Sequence, residues 1–273
     1  MAQEHSSNYQ RLGTKTMKTN IIYKGDCRKI LLNKISKESI DLIFADPPYN
    51  LSGNGLKWQN KGMGGDWFMV NEKWDKMSDP EYLKFTQEWL EASKKVLKPN
   101  GSIYISCTYH NVGELIITLK ALGFIPRNII TWHKSNAMPS MTRRSFTHSC
   151  EYVLFFSKGK RWIFNYSEIK RINPDKAKDG SEKQMRDLWI MPVCQGKERI
   201  RDKSGRAAHP TQKPESLLER VILASSNKGD IVLDPFLGSG TTATVAKRLG
   251  RKWIGIETED KYIKIAKKRL EKV

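Results

Sequence analysis

The chain has 273 residues, enough to bury a full core without disulfides, and one α/β domain with a small insertion is the economical reading. Its 48 lysines and arginines against 29 aspartates and glutamates give a net charge of +19, which favours a polyanionic partner and salt-sensitive binding. No apolar run reaches the roughly 18 residues of a membrane helix, no signal peptide opens the chain, and Cys27, Cys107, Cys150 and Cys194 form no C-x-x-C pair, so a cytoplasmic protein without a membrane span or a metal centre is expected.

Residues 1–19 are polar with no apolar period and read as a disordered tail. Strands are expected at Asn20–Tyr23 and Ser39–Ala45, the second an apolar run that ends on Asp46-Pro47-Pro48-Tyr49. From Leu51 to Met77 no element is legible. Five glycines and three tryptophans there suggest a mobile loop, and loops of this length are usually functional or disordered. An amphipathic helix over Ser78–Leu97 stops at Lys98-Pro99-Asn100-Gly101 and leads to a strand at Ser102–Ser106. A helix at Asn111–Leu122 ends at Gly123 and precedes strands at Asn128–Trp132 and Glu151–Phe156. After an irregular basic stretch come a helix at Glu215–Ser225, a strand at Ile231–Pro235, a helix at Thr244–Leu249, a strand at Lys252–Ile256 and a last helix at Glu259–Leu270. This alternation of seven strands with helices argues for a doubly wound, mostly parallel α/β sheet that places ligands at the carboxyl ends of its strands.

Two motifs sit at such ends, 190 positions apart. The first, Asp46-Pro47-Pro48-Tyr49, suits an amine-binding pocket. The nitrogen of an exocyclic aromatic amine is a poor nucleophile because its lone pair is delocalised into the ring. The Asp46 carboxylate can accept one of its hydrogens and the Pro47 carbonyl the other, pulling the nitrogen toward tetrahedral geometry and stabilising the positive charge that grows on attack. Pro47 and Pro48 stiffen the turn, and Tyr49 offers a ring to stack on the base. The plainer alternative is an ordinary Pro-Pro turn after a strand.

In the second, Ile231-Val232-Leu233-Asp234-Pro235 runs into Phe236-Leu237-Gly238-Ser239-Gly240-Thr241-Thr242 and then a helix. Glycines let the backbone approach a ligand closely, and a helix N-terminus offers unpaired N–H groups. Glu257 ends the next strand, nineteen residues beyond Gly238, the spacing at which a carboxylate meets a ribose. The loop is nevertheless not the G-x-G-x-x-G of the dinucleotide fingerprint.

Together the motifs resemble those of the S-adenosylmethionine-dependent amino-methyltransferases that act on DNA. Phe236-Leu237-Gly238-Ser239-Gly240 is similar to the family's F-x-G-x-G cofactor loop, and Asp46 to Tyr49 to its catalytic D-P-P-Y. The catalytic motif precedes the cofactor loop, the permuted order of the beta class. Gly25-Asp26, Trp132-His133-Lys134-Ser135-Asn136 and His209-Pro210-Thr211-Gln212-Lys213-Pro214 also match, so the resemblance covers roughly residues 20–270. It implies a single permuted, Rossmann-like methyltransferase domain over 20–273, with seven strands, the last antiparallel. It implies S-adenosylmethionine as cofactor and Asp46, Pro47, Pro48 and Tyr49 as catalytic residues. Asp26 would bind the cofactor adenine, Glu257 the ribose, and Thr211 and Lys213 would lie near the methionine carboxylate. Asp46, Asp234, Phe236, Gly238, Ser239, Gly240 and Thr241 complete the implied cofactor site. Read alone, Lys213 is an ordinary solvated lysine before a helix.

The reaction so implied is direct methyl transfer to N6 of adenine in a specific DNA sequence, with the target base flipped out of the duplex. The loop over 51–77 is expected to close over DNA and help hold the extruded base. Target recognition is expected within residues 133–208. Between His133 and Arg206 stand 17 lysines and arginines against 8 acids, +9 of the total, with Phe146, Trp162, Phe164, Tyr166 and Trp189 interleaved. A homodimer and a cognate restriction enzyme are further partners the resemblance implies. Three alternatives stay open: an N4-cytosine enzyme, which more often carries Ser in place of Asp46; a protein-glutamine methyltransferase, whose motifs run in the opposite order; and a non-catalytic basic DNA-binding protein. Cytosine-C5 methylation does not fit, because no cysteine follows a proline.

Overall fold

The computed structural model describes residues 17–50, 77–140 and 143–273. The tail expected over 1–19 and the loop expected over 51–77 fall almost wholly outside the described residues. Strands β1 (Ile21–Lys24), β2 (Ile40–Ala45), β3 (Leu97–Cys107), β4 (Ile125–Lys134), β5 (Cys150–Ser157), β6 (Leu188–Met191), β7 (Ile231–Asp234) and β8 (Lys252–Glu257) form one sheet in the order β1-β8-β7-β2-β3-β5-β4-β6.

Helices cover both faces because β2 is apolar on both. Ile43 and Ala45 point into one core cluster, with Leu31 of α1 (Cys27–Lys34), Trp89 and Leu90 of α2 (Asp79–Val96) and Leu115 and Leu119 of α3 (Val112–Ala121). Leu42 and Phe44 point into the other, with Leu218 and Ile222 of α5 (Glu215–Ser225), Val245 of α6 (Thr241–Arg248) and Ala266 of α7 (Asp260–Leu270). A short helix, α4 (Tyr166–Arg171), packs its Ile169 on Leu223 and Ala224 of α5. Asp41 is the one charge in β2. It is tolerated in the core because Lys98 Nζ lies 2.6 Å from one carboxylate oxygen and the Ile231 N–H donates to the other at 2.9 Å, tying β2 to β3 and β7.

Three expectations are corrected. The sheet has eight strands among the described residues, not seven, because the basic segment contributes β6, which pairs in parallel with β4 at the edge. The strand last in sequence, β8, is parallel to both β1 and β7; the antiparallel strand is β5, between β3 and β4. Residues 135–149 reverse the chain from β4 into β5, whereas the α6 crossover from β7 to β8 preserves direction. Finally, Lys98-Pro99-Asn100-Gly101 ends α2 but already belongs to β3. A register irregularity between Ile40 and Leu42 accommodates this proline, which cannot donate to a regular ladder.

Candidate active site

β2 and β7 are neighbours, so the segments leaving their carboxyl ends open into one cavity of about 410 Å³. Its wall includes Asp26, Asp46, Pro47, Pro48, Tyr49, Thr211, Lys213, Asp234, Phe236, Gly238, Ser239, Thr241 and Glu257. Of the residues assigned from sequence to catalysis or to the cofactor, Gly240 alone is absent from that wall. Gly240 stands at φ +81° as the N-cap of α6, where an added Cβ would come 2.8 Å from the Ala266 Cβ. It serves the packing of α6 on α7. Gly238 is the glycine at the cavity: at φ +51°, an added Cβ there would meet His209 Nε2 at 2.8 Å.

The loop after β7 is held by carboxylates. Asp234 accepts from the Phe236 N–H at 2.9 Å and from the Thr242 hydroxyl at 2.6 Å. Burial pushes its carboxyl up to about 7 despite these bonds. Glu257, at the end of β8, accepts from the Gly238 N–H at 2.8 Å with one oxygen and from the Thr258 and Glu259 N–H groups at 2.8 and 2.9 Å with the other. Asp26 caps α1 by accepting from the Arg28 N–H at 2.9 Å and also pairs with the Arg28 guanidinium, whose hydrogen bonds hold its carboxyl below the usual range. The Thr241 hydroxyl donates to the Lys213 carbonyl at 3.3 Å and accepts from Arg269 at 2.8 Å.

On the same cavity, Asp46 is the centre of a charged network. Lys213 Nζ lies 2.8 Å from Asp46 Oδ2 and 3.8 Å from Glu151 Oε2, and Lys134 Nζ lies 3.0 Å from Glu151 Oε1. The Tyr49 hydroxyl donates to Asp46 Oδ1 at 2.8 Å and lies 2.8 Å from Ser106 Oγ. Burial raises the Asp46 carboxyl, with Lys213 and Tyr49 opposing the rise. On Lys213 burial is outweighed by Asp46 and Glu151, so its ammonium is held above the ordinary value. Burial on Glu151 is likewise outweighed, by Lys213 and Lys134, and its carboxyl is lowered.

Lys213 is thus buried at 7% exposure rather than solvated. Tyr49, expected to offer a ring to a base, is 9% exposed, with Lys213 Nζ 5.3 Å from its ring centre. Glu151, Ser106 and His209 were not assigned roles from sequence. Glu151 leaves a trace, a charge at the head of an otherwise apolar strand; Ser106 leaves none. His209 lies inside a recognised motif; burial and the charges of Lys213, Arg199 and Lys261 push its imidazole down to about 3, so it is neutral. In the basic segment Phe146, Trp162, Phe164 and Tyr166 are exposed, whereas Trp189 belongs to the core beneath β6.

A glycine loop with a strand-end acid, sharing one cavity with a partly buried, ion-paired carboxylate, defines a Rossmann-like enzyme for group transfer between a nucleotide cofactor and a second, polar substrate. The comparisons with known proteins specify the group. The N6/N4 DNA methylase family model matches residues 40–268. The type II methyltransferase M2.DpnII of Streptococcus pneumoniae is 46% identical over 245 residues, covering 88% of this chain and 85% of that protein. M.HinfI of Haemophilus influenzae is 44% identical over 257 residues, 93% of this chain and 69% of that protein. Among solved structures, the complex of M1.HpyAVI with S-adenosylmethionine superposes with a TM-score of 0.64 at 31% identity, over 91% of this chain and 98% of that one. The cytosine-N4-specific PvuII methyltransferase shares the fold, with a TM-score of 0.69 at 23% identity, over 93% and 87%. The chain belongs to the N6/N4 DNA methylase family and is a DNA methyltransferase.

Proposed function

We propose that the chain transfers the methyl group of S-adenosylmethionine to N6 of adenine in a specific DNA sequence, the target base turned out of the duplex into the cavity beside Asp46. The observation that carries this reading is the Asp46 carboxylate, oriented by Lys213 and Tyr49 on the same cavity as the glycine loop. Asp rather than Ser at this position favours adenine over cytosine.

The residues present fit the cofactor. The cavity is of the size that small ligands occupy, Gly238 lines it where an added Cβ would press on His209, and Glu257 follows the loop at the spacing at which a carboxylate meets a ribose. Glu257 would hold the ribose and Asp26 the adenine, with Asp234, Phe236, Ser239 and Thr211 around them. When bound, S-adenosylmethionine supplies a methyl group already activated on sulfur, so positioning and acceptor electrostatics suffice. Asp46 accepts one hydrogen of the amine and the Pro47 carbonyl the other. The raised affinity of the Asp46 carboxyl for protons suits it to take up the one that the amine gives up. Lys213, implied by resemblance to lie near the methionine carboxylate, is assigned here to Asp46 and Glu151.

Residues 20–273 form one permuted domain on this reading, and 133–208 contain the target-recognition region. Among the described residues no helix is long and apolar enough to cross a membrane, and DNA in the cytoplasm is the proposed partner. A homodimer and a cognate restriction enzyme are also proposed; light scattering, and protection of cellular DNA from a co-expressed endonuclease, test them. The direct test incubates the protein with labelled cofactor and DNA and identifies the product nucleoside. N6-methyladenine is expected. N4-methylcytosine would move the target to cytosine, and no transfer to any DNA would refute the enzyme reading. Asp46→Ala is expected to abolish transfer while leaving cofactor binding largely intact.

A further inference from the structure

β4 ends and β5 begins at the same edge of the sheet as Asp46, and the described residues between them are 135–140 and 143–149. Cys107, the last residue of β3, pairs with Tyr152 of β5, and Glu151 beside it belongs to the Asp46 network. On this connection Phe146 is 97% exposed, the highest value for any large hydrophobic side chain among the described residues. Single exposed apolar residues are common on protein surfaces. What sets Phe146 apart is its setting.

The arm that carries it is tethered. The Lys134 N–H donates to the Ser149 carbonyl at 2.7 Å and the Ser140 N–H to the Thr147 hydroxyl at 3.3 Å; the Asn136 side chain bonds to Val193 and Gln195 at 3.0 and 2.7 Å. Two residues after Phe146, the His148 ring stacks on Tyr109 with centroids 4.6 Å apart and planes at 12°, and Tyr109 lies 3.9 Å from the His110 ring. Tyr109 and His110 follow the end of β3, so this group of rings joins the arm to the strand that supplies Ser106 to the site. Arg143 and Arg144 precede Phe146, in a segment with an excess of nine positive charges. An apolar side chain held out two residues after a pair of arginines, on the sheet edge that carries Asp46, has the composition of a wedge for a stacked polyanion.

We propose that Phe146 enters the DNA stack next to the target base and occupies the space the base leaves, with Arg143 and Arg144 facing the flanking phosphates. The proposal rests on the base-flipping reading above and adds the residue that sustains the opened duplex. An extruded base costs least to flip when it is unpaired. A wedge is therefore needed for a paired target and dispensable for an unpaired one.

The test uses the full chain and a duplex carrying the modified site, located by sequencing DNA from cells that express the protein. Methylation rates are compared for target adenine opposite thymine and opposite an abasic position, with wild type, Phe146→Ala and Phe146→Leu, after calorimetry with S-adenosylmethionine has verified that each variant is folded. Phe146→Ala is expected to slow the paired duplex about ten-fold or more, the abasic duplex no more than about two-fold, and Phe146→Leu to keep most of the activity, since apolar bulk is what a wedge needs. Equal loss on both duplexes, no loss on either, or a loss that tracks a change in oligomeric state overturns the wedge while leaving the methyltransferase reading intact. A wild-type protein that methylates no duplex overturns both.

Discussion

Lys213→Met removes the ammonium between Asp46 and Glu151 while keeping the length of the side chain. At 2.8 Å and an effective dielectric of about 20, the Lys213–Asp46 attraction is roughly 6 kcal/mol, and the 3.8 Å contact with Glu151 adds roughly 4. Desolvation of the three groups offsets most of this, and breaking a buried pair of this kind costs about 3–5 kcal/mol net. The sign on Asp46 follows from the forces acting on it. Burial already raises its carboxyl and Lys213 opposes the rise, so removing Lys213 moves it further up. At neutral pH a larger fraction of Asp46 is then protonated and has one acceptor fewer for the amine. Methyl incorporation into DNA, measured from pH 6 to 9.5, should fall most at the acid end and recover toward the alkaline end, with cofactor affinity by calorimetry nearly unchanged. An unshifted acid limb together with a collapse of cofactor affinity would refute this argument and return Lys213 to the methionine carboxylate.

Two further outcomes follow from the cavity. Asp234 is raised from its ordinary 3.8 to about 7, so the native state holds its proton more tightly than the unfolded chain and stability falls as pH rises between those values. The full effect is on the order of 4 kcal/mol. Asp234→Asn keeps an acceptor for the Phe236 N–H and a group that can bond the Thr242 hydroxyl. In urea unfolding it should gain on wild type at pH 8 and not at pH 4; an equal difference at both would contradict the assignment. The two glycines of the loop should separate. Gly238→Ala meets His209 at the cavity and should weaken cofactor binding about ten-fold. Gly240→Ala meets Ala266 and should lower the melting temperature more than the affinity, and the reverse pattern would show that their roles are exchanged.

Much of the fold was legible because its signals are local. The apolar runs of β2 and β7, the Ser78–Glu81 start of α2 and the glycine loop after Asp234 are written in consecutive residues. Three short elements, α1, α4 and β6, were not. α1 buries only Cys27 and Leu31, and α4 only Ile169, too few positions to set a period. β6 exposes Leu188 and Ile190 while burying Trp189 and Met191, and its four residues sit in a basic stretch that masks the alternation. Trp189 therefore looked like a DNA-facing aromatic and is a core residue.

The sequence by itself determined the class of chemistry: an Asp-Pro-Pro-Tyr turn and a glycine loop with its acid, each at the end of an apolar strand, in an order that assigns the family. Those features depend on neighbouring residues, and backbone periodicity places them at strand ends whatever the order of the strands. Only the tertiary structure decided who meets Asp46. Lys213 lies 167 residues away, and Glu151 reaches Lys213 and Tyr49 because β5 runs antiparallel beside β3, which places its first residues at the catalytic edge. Direction and order in a sheet are set by long-range pairing and the packing of its connections, and the sequence around Asp46 contains no trace of either.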